Sequence, residues 1–95
     1  MDFPVAYSAE GFNGQTRARQ LSEFGMLIGP LEHPERIAER HVRLEFTVPG
    51  YEKVQLKGFC SYVTPTAAGI RFDPMPEKTK IALDRFVNGL PPASA

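Results

Sequence analysis

Val42-Arg43-Leu44-Glu45-Phe46-Thr47-Val48 decides the fold class. Val42, Leu44, Phe46 and Val48 alternate with Arg43, Glu45 and Thr47, so an extended chain here has one apolar face and one wet face. A helix would scatter the same side chains around its circumference. The stretch is therefore predicted as a half-buried strand. Pro49-Gly50 is predicted as the turn after it, with proline fixing φ and glycine taking the positive φ of a type II turn.

Toward the C-terminus, Lys53 to Thr64 reads as a long strand. Val54 and Leu56 set one phase, Phe59 and Val63 the other, and Gly58 between them is the expected site of a bulge that shifts the phase. Ala67-Ala68-Gly69 is predicted to turn the chain into a short return strand, Ile70-Arg71-Phe72. The period then changes. Leu83, Phe86, Val87 and Leu90 fall at i, i+3, i+4 and i+7, one face of a helix. Pro76 and Glu77 suit its first turn, Gly89 its stop, and Pro91-Pro92 forbid continuation.

Toward the N-terminus, Leu31 to His41 is a charged connection with one helical turn expected in Pro34–Arg40, anchored by Ile37 and Ala38. Met26-Leu27-Ile28 reads as a buried strand stopped by Gly29-Pro30, and Ser22-Glu23-Phe24-Gly25 as the turn before it. Thr16 to Leu21 is expected to run antiparallel to Phe3–Tyr7, with the hairpin tip at Asn13-Gly14. Pro4 suits an edge strand. These pieces give a mainly β fold: a small six-stranded antiparallel β-barrel with a C-terminal α-helix packed on or across one opening. A single domain is expected over residues 1–95, with its core in about 3–90 and a tail at 91–95.

Composition narrows the function classes. Eleven basic residues balance eleven acidic ones, so there is no electrostatic case for binding a nucleic-acid polymer. Cys60 is the only cysteine; it lies in an apolar run, as a buried free thiol would, and leaves no internal disulfide or cysteine-rich metal site. No apolar run reaches membrane-span length, and Met1-Asp2-Phe3-Pro4 lacks the basic and apolar regions of a signal peptide, so a cytoplasmic protein is expected. His33 and His41 have no metal-ligand spacing. Ser22 has no hydrolase elbow around it, no phosphate-binding glycine loop occurs, and Glu77 and Asp84 fall on the polar side of the predicted helix. Neither catalysis nor a cofactor is expected.

Several pieces, in order, resemble the PilZ family. Arg19-Gln20-Leu21-Ser22-Glu23-Phe24-Gly25-Met26-Leu27-Ile28 is similar to that family's [D/N]-x-S-x-x-G element and the apolar strand after it. Val42 to Gly50 resembles its next strand and turn, Gly69-Ile70-Arg71-Phe72 its Gly-[IV]-x-Phe strand, and Ile81 to Leu90 its closing helix. The resemblance implies a bacterial regulatory barrel whose ligand is the second messenger cyclic di-GMP. It also implies two ligand-binding elements: an RxxxR sequence ahead of the first strand, and the [D/N]-x-S-x-x-G element. Arginines pair with phosphates and stack on guanine faces; the acid or amide and the serine read guanine edges.

Carried over residue by residue, Ser22 and Gly25 match, and Gln20 stands at the Asp/Asn position with its amide one methylene further out. Only Met1 and Asp2 precede Phe3, so the arginine element is expected to be missing. Arg17 and Arg19 are candidate substitutes, although strict alternation places them on the face opposite Gln20 and Ser22. Two functions follow. One is an adaptor that binds a partner protein and has weak or absent affinity for cyclic di-GMP, with Phe24, Tyr51 or the Leu31–His41 connection as contacts. The alternative is a working cyclic di-GMP receptor controlling motility, biofilm or exopolysaccharide output, binding through Ser22, Gly25 and basic residues, some from a dimer partner. A small barrel of another kind is a third reading, favoured if the strand after Gly50 fails to pair with the Val42 strand.

Overall fold

The computed structural model describes residues 3–47 and 53–88. Within them the chain forms strands β1 (Phe3–Ala9), β2 (Phe12–Leu21), β3 (Gly25–Gly29), β4 (His41–Thr47), β5 (Lys53–Val63) and β6 (Ala68–Phe72), then helix α1 (Glu77–Val87). The strands close into an antiparallel barrel in the order β1-β2-β3-β6-β5-β4. The expectations for Val48, Pro49-Gly50, Tyr51, Gly89, Leu90, Pro91-Pro92 and the tail fall outside the described residues.

Alternation builds the interior. Val42, Leu44 and Phe46 of β4 point inward, and β5 answers with Gly58, Leu56 and Val54 directly opposite them. The strand after Gly50 thus pairs with the Val42 strand. Leu83 of α1 is 1% exposed in the same core, and the Phe86 ring meets Phe3 edge-on at 6.1 Å. Phe3 in turn packs on Phe46 at 5.4 Å, which ties the helix to the barrel through aromatic contacts. The connection before β4 carries a 3₁₀ turn at Pro34–Arg36 and buries Ile37, while Ala38 is half-buried.

Four local expectations change. The β1–β2 turn is Glu10-Gly11, with Gly11 at φ 92°, and Asn13-Gly14 lies within β2. Gly14 faces Tyr7 across the ladder, and a Cβ there would lie 2.8 Å from the Tyr7 hydroxyl oxygen, so this glycine makes room for a ring. β1 is not an edge strand, because β4 pairs with its Ala6–Ser8 portion. Pro4 lies outside that pairing and faces only β2, so its missing N–H takes no bond from β4.

Gly58 carries no bulge: it holds the inward phase of Leu56 and Cys60, where a Cβ would meet the Arg71 carbonyl oxygen and Ile70 Cγ2 at 2.6 Å. The irregularity falls after Cys60 instead. Finally, the β5–β6 turn runs over Thr64–Ala67, closed by the Thr64 N–H donating to the Ala67 carbonyl at 2.9 Å, so Ala68 and Gly69 are strand residues.

Candidate functional site

The turn between β2 and β3 is organised by Ser22. Its hydroxyl oxygen accepts the backbone N–H groups of Phe24 and Gly25, each at 3.2 Å, and its own N–H donates to the Gly25 carbonyl at 2.9 Å. A serine followed three residues later by glycine therefore closes a tight local loop. Gly25 is required for a separate reason: a Cβ there would run into the Ile70 carbonyl of β6. With its backbone held on both sides (the Phe24 carbonyl accepts Phe72 N–H at 2.8 Å), Phe24 is left 73% exposed at the tip.

Beside the turn, two bulges re-aim side chains. In β2, Ala18 pairs with Ile28 and Gln20 with Leu27, so Arg19 is an extra residue with no partner position on β3. In β5, Cys60 pairs with Ile70 and Tyr62 with Gly69, so Ser61 is extra in the same way. Each insertion reverses the alternation that follows it. Gln20 and Tyr62 are thereby turned to the outside, and the ladder aligns Gln20, Leu27, Gly69 and Tyr62 in one outward row across β2, β3, β6 and β5. The Tyr62 ring lies over Gly69, whose place a Cβ could not share. The next outward row places Gly25, Arg71 and Phe59 side by side.

This arrangement corrects the expected placement of the arginines. Arg17 pairs with Gly29 on the outer face, and after the bulge at Arg19, Gln20 joins that same face. Arg17, Arg19 and Gln20 are all exposed. Gln20, Ser22, Phe24, Gly25, Tyr62 and Arg71 share an open cleft of about 620 Å³, whereas Arg17 and Arg19 do not line it. Tyr62 and Arg71 are the members that sequence reasoning missed, since a bulge at serine leaves no mark in composition. The cleft offers an amide, a guanidinium and two aromatic faces, a set suited to planar polar groups or to a partner's side chains.

Elsewhere, Cys60 is fully buried, its thiol donates to the Tyr62 carbonyl at 3.4 Å, and burial pushes its pKa up. His33 and His41 are exposed; His33 sits 3.2 Å from Glu35, and His41 lies 3.9 Å from Asp73 with Phe59 edge-on at 5.4 Å. Among the described residues no group of three or more His, Cys, Asp or Glu side chains converges as a metal site would require. No helix among them is long and apolar enough to cross a membrane.

No protein-family model matches the sequence, and no curated protein matches it. A solved structure does: the PilZ domain of CeSA from a cellulose-synthesizing bacterium superimposes with a TM-score of 0.75 over 94% of this chain and 92% of that one, at 14% sequence identity. At that identity the likeness speaks for the fold. A closed barrel of six antiparallel strands followed by a C-terminal helix is thus here the fold of a PilZ domain.

Proposed function

We propose that this chain is a PilZ-type regulatory domain acting as a protein-interaction adaptor, with weak or absent affinity for cyclic di-GMP. The observation that carries this reading is the exposure of aromatic surface beside the Ser22 turn: Phe24 is 73% and Tyr62 54% exposed, on one cleft. Exposed aromatics held on a rigid frame are typical interface anchors, because they bury much area for little lost rotamer freedom. The polar groups beside them suit cyclic di-GMP poorly. Gln20 has a longer arm than Asp or Asn, and the Ser22 hydroxyl already accepts two backbone N–H groups. Isothermal titration with cyclic di-GMP tests the reading. Dissociation constants weaker than about 10 μM, a ΔG near −7 kcal/mol, are expected; tighter binding overturns the adaptor account.

One observation favours the receptor reading as the alternative. The bulge at Arg19 places Arg17 and Gln20 on the same outer wall as the Ser22 turn. A receptor would bind through Gln20, Ser22 and Gly25 with Arg17 or Arg19 on the phosphates. Charge reversal at Arg17 and Arg19 would then abolish cyclic di-GMP binding, whereas an adaptor would show no binding to abolish.

A further inference from the structure

The opposite wall of the barrel carries a charge arrangement that the reading above does not use. Arg43 on β4 and Lys57 on β5 are directly opposed across the ladder, both outward and exposed. Like charges facing each other on a sheet repel, and proteins ordinarily place an acid nearby. Here none serves. Glu45, one step along the same face, is committed to Lys53 at 2.8 Å and to Gln55 at 3.0 Å, and those two bonds hold its carboxyl below the usual range. Asp73 faces His41. Among the described residues neither Arg43 nor Lys57 forms an ion pair, so both positive charges face outward without a direct counter-charge.

The ladder surrounds this pair with neutral donors. Ser8 of β1 pairs with Arg43, Asn13 of β2 pairs with Ser8, and Gln55 lies two residues from Lys57 on the same face. Arg43, Lys57, Ser8, Asn13 and Gln55 line one open concavity of about 600 Å³, which Ala6 and the Lys53-paired Glu45 also line. A guanidinium fork and an ammonium side by side match a dianion; a single carboxylate would leave one cation unmatched. A phosphomonoester carries close to two negative charges at neutral pH.

We infer that the outer face of β1, β4 and β5 is a binding site for a phosphomonoester dianion, with Arg43 and Lys57 as its charge pair and Ser8 and Asn13 as donors to its oxygens. This site is independent of the cleft around Ser22. Binding relieves the repulsion between the two cations, so the protein gains from the anion what it lacks in an internal partner.

The test is a titration of the isotopically labelled full chain with inorganic phosphate, O-phosphoserine and adenosine monophosphate, followed by amide chemical shifts. Chloride at matched ionic strength is the control. Saturable shifts are expected at Ser8, Arg43 and Lys57 with dissociation constants on the order of millimolar. Affinity should fall several-fold as the pH drops below about 6 and the phosphate becomes a monoanion. Arg43→Gln and Lys57→Gln should each weaken binding about tenfold with the fold intact, since both side chains are exposed. Equal affinity for the three probes assigns recognition to the phosphate group alone; tighter binding of adenosine monophosphate points to a nucleotide as the source. The site is overturned if chloride produces the same shifts, if phosphate shifts the Ser22 cleft instead, or if the double variant binds as well as the parent.

Discussion

The two walls of the barrel are built from the same kinds of strand, yet they treat their outer faces differently. On the β1–β4–β5 wall alternation is unbroken: Leu44 faces Leu56 and Phe46 faces Val54 inside, so Arg43 and Glu45 have no choice but to face out. On the β2–β3–β6 wall, and at the far end of β5, an extra residue at Arg19 and another at Ser61 interrupt the count. There the interior keeps its pairs (Ala18 with Ile28, Cys60 with Ile70) while the exterior is re-aimed to show Gln20 and Tyr62. In the regular wall the core dictates the surface. In the bulged wall the two are separated, which is the freedom a recognition surface needs.

Deleting one residue from each wall should expose this difference most sharply. Without Arg43, either Val42 or the pair Leu44 and Phe46 must turn outward, because a one-residue slip inverts a strand. Each such side chain is worth about 1.5–3 kcal/mol of burial against a total stability of about 5–15 kcal/mol. Loss of the cooperative thermal transition is expected, read by circular dichroism. Deleting Arg19 removes only the residue that has no position opposite it in the β2–β3 ladder, and leaves Ala18 opposite Ile28 and Gln20 opposite Leu27. That variant should fold and unfold cooperatively within about 2 kcal/mol of the parent. Were it to collapse as completely as the Arg43 deletion, the bulge would be part of the core's logic and the contrast would fail.

Substitution gives the next grades. Leu44→Ala, at 1% exposure in the regular wall, should lose about 2–5 kcal/mol in urea denaturation, from lost burial and the cavity left behind. Ser22→Ala in the bulged wall removes an acceptor from two N–H groups that water can reach, so its expected cost is smaller, about 1 kcal/mol. A loss at Ser22 equal to that at Leu44 would mean that the turn supports the barrel rather than the cleft alone.

The regular wall was also the legible one. Val42, Leu44 and Phe46 announce their face in the sequence, and the helix face of Leu83 and Phe86 is as plain. Local turn chemistry was harder to read, because Gly11 and Gly14 both fit a hairpin tip and the Tyr7 ring that claims Gly14 belongs to the opposite strand. Gly58 resembles a bulge residue but is a point of close approach between β5 and β6, a fact of pairing and not of sequence. The true bulges fall on Arg19 and Ser61, neither glycine nor proline, so nothing local marks them. The candidate cleft was therefore half visible: Gln20, Ser22 and Gly25 by resemblance, Tyr62 and Arg71 only once the register was known.

The smallest expected effect on stability is the most informative about function. Phe24 makes its two backbone hydrogen bonds, to the Ser22 hydroxyl and from Phe72 N–H, without help from its ring, which stands 73% exposed. Phe24→Ala should therefore leave the urea midpoint within about 0.5 kcal/mol of the parent, the range of ordinary surface changes. If the ring is an interface anchor, that same variant should lose at least about 2 kcal/mol of affinity for a protein partner, roughly thirtyfold in dissociation constant. A drop in stability well beyond 0.5 kcal/mol would instead show the ring packing on the barrel in solution, and would move the recognition role to Tyr62. The two measurements on one variant thus decide whether the bulged wall displays its aromatics for a partner or folds them into itself.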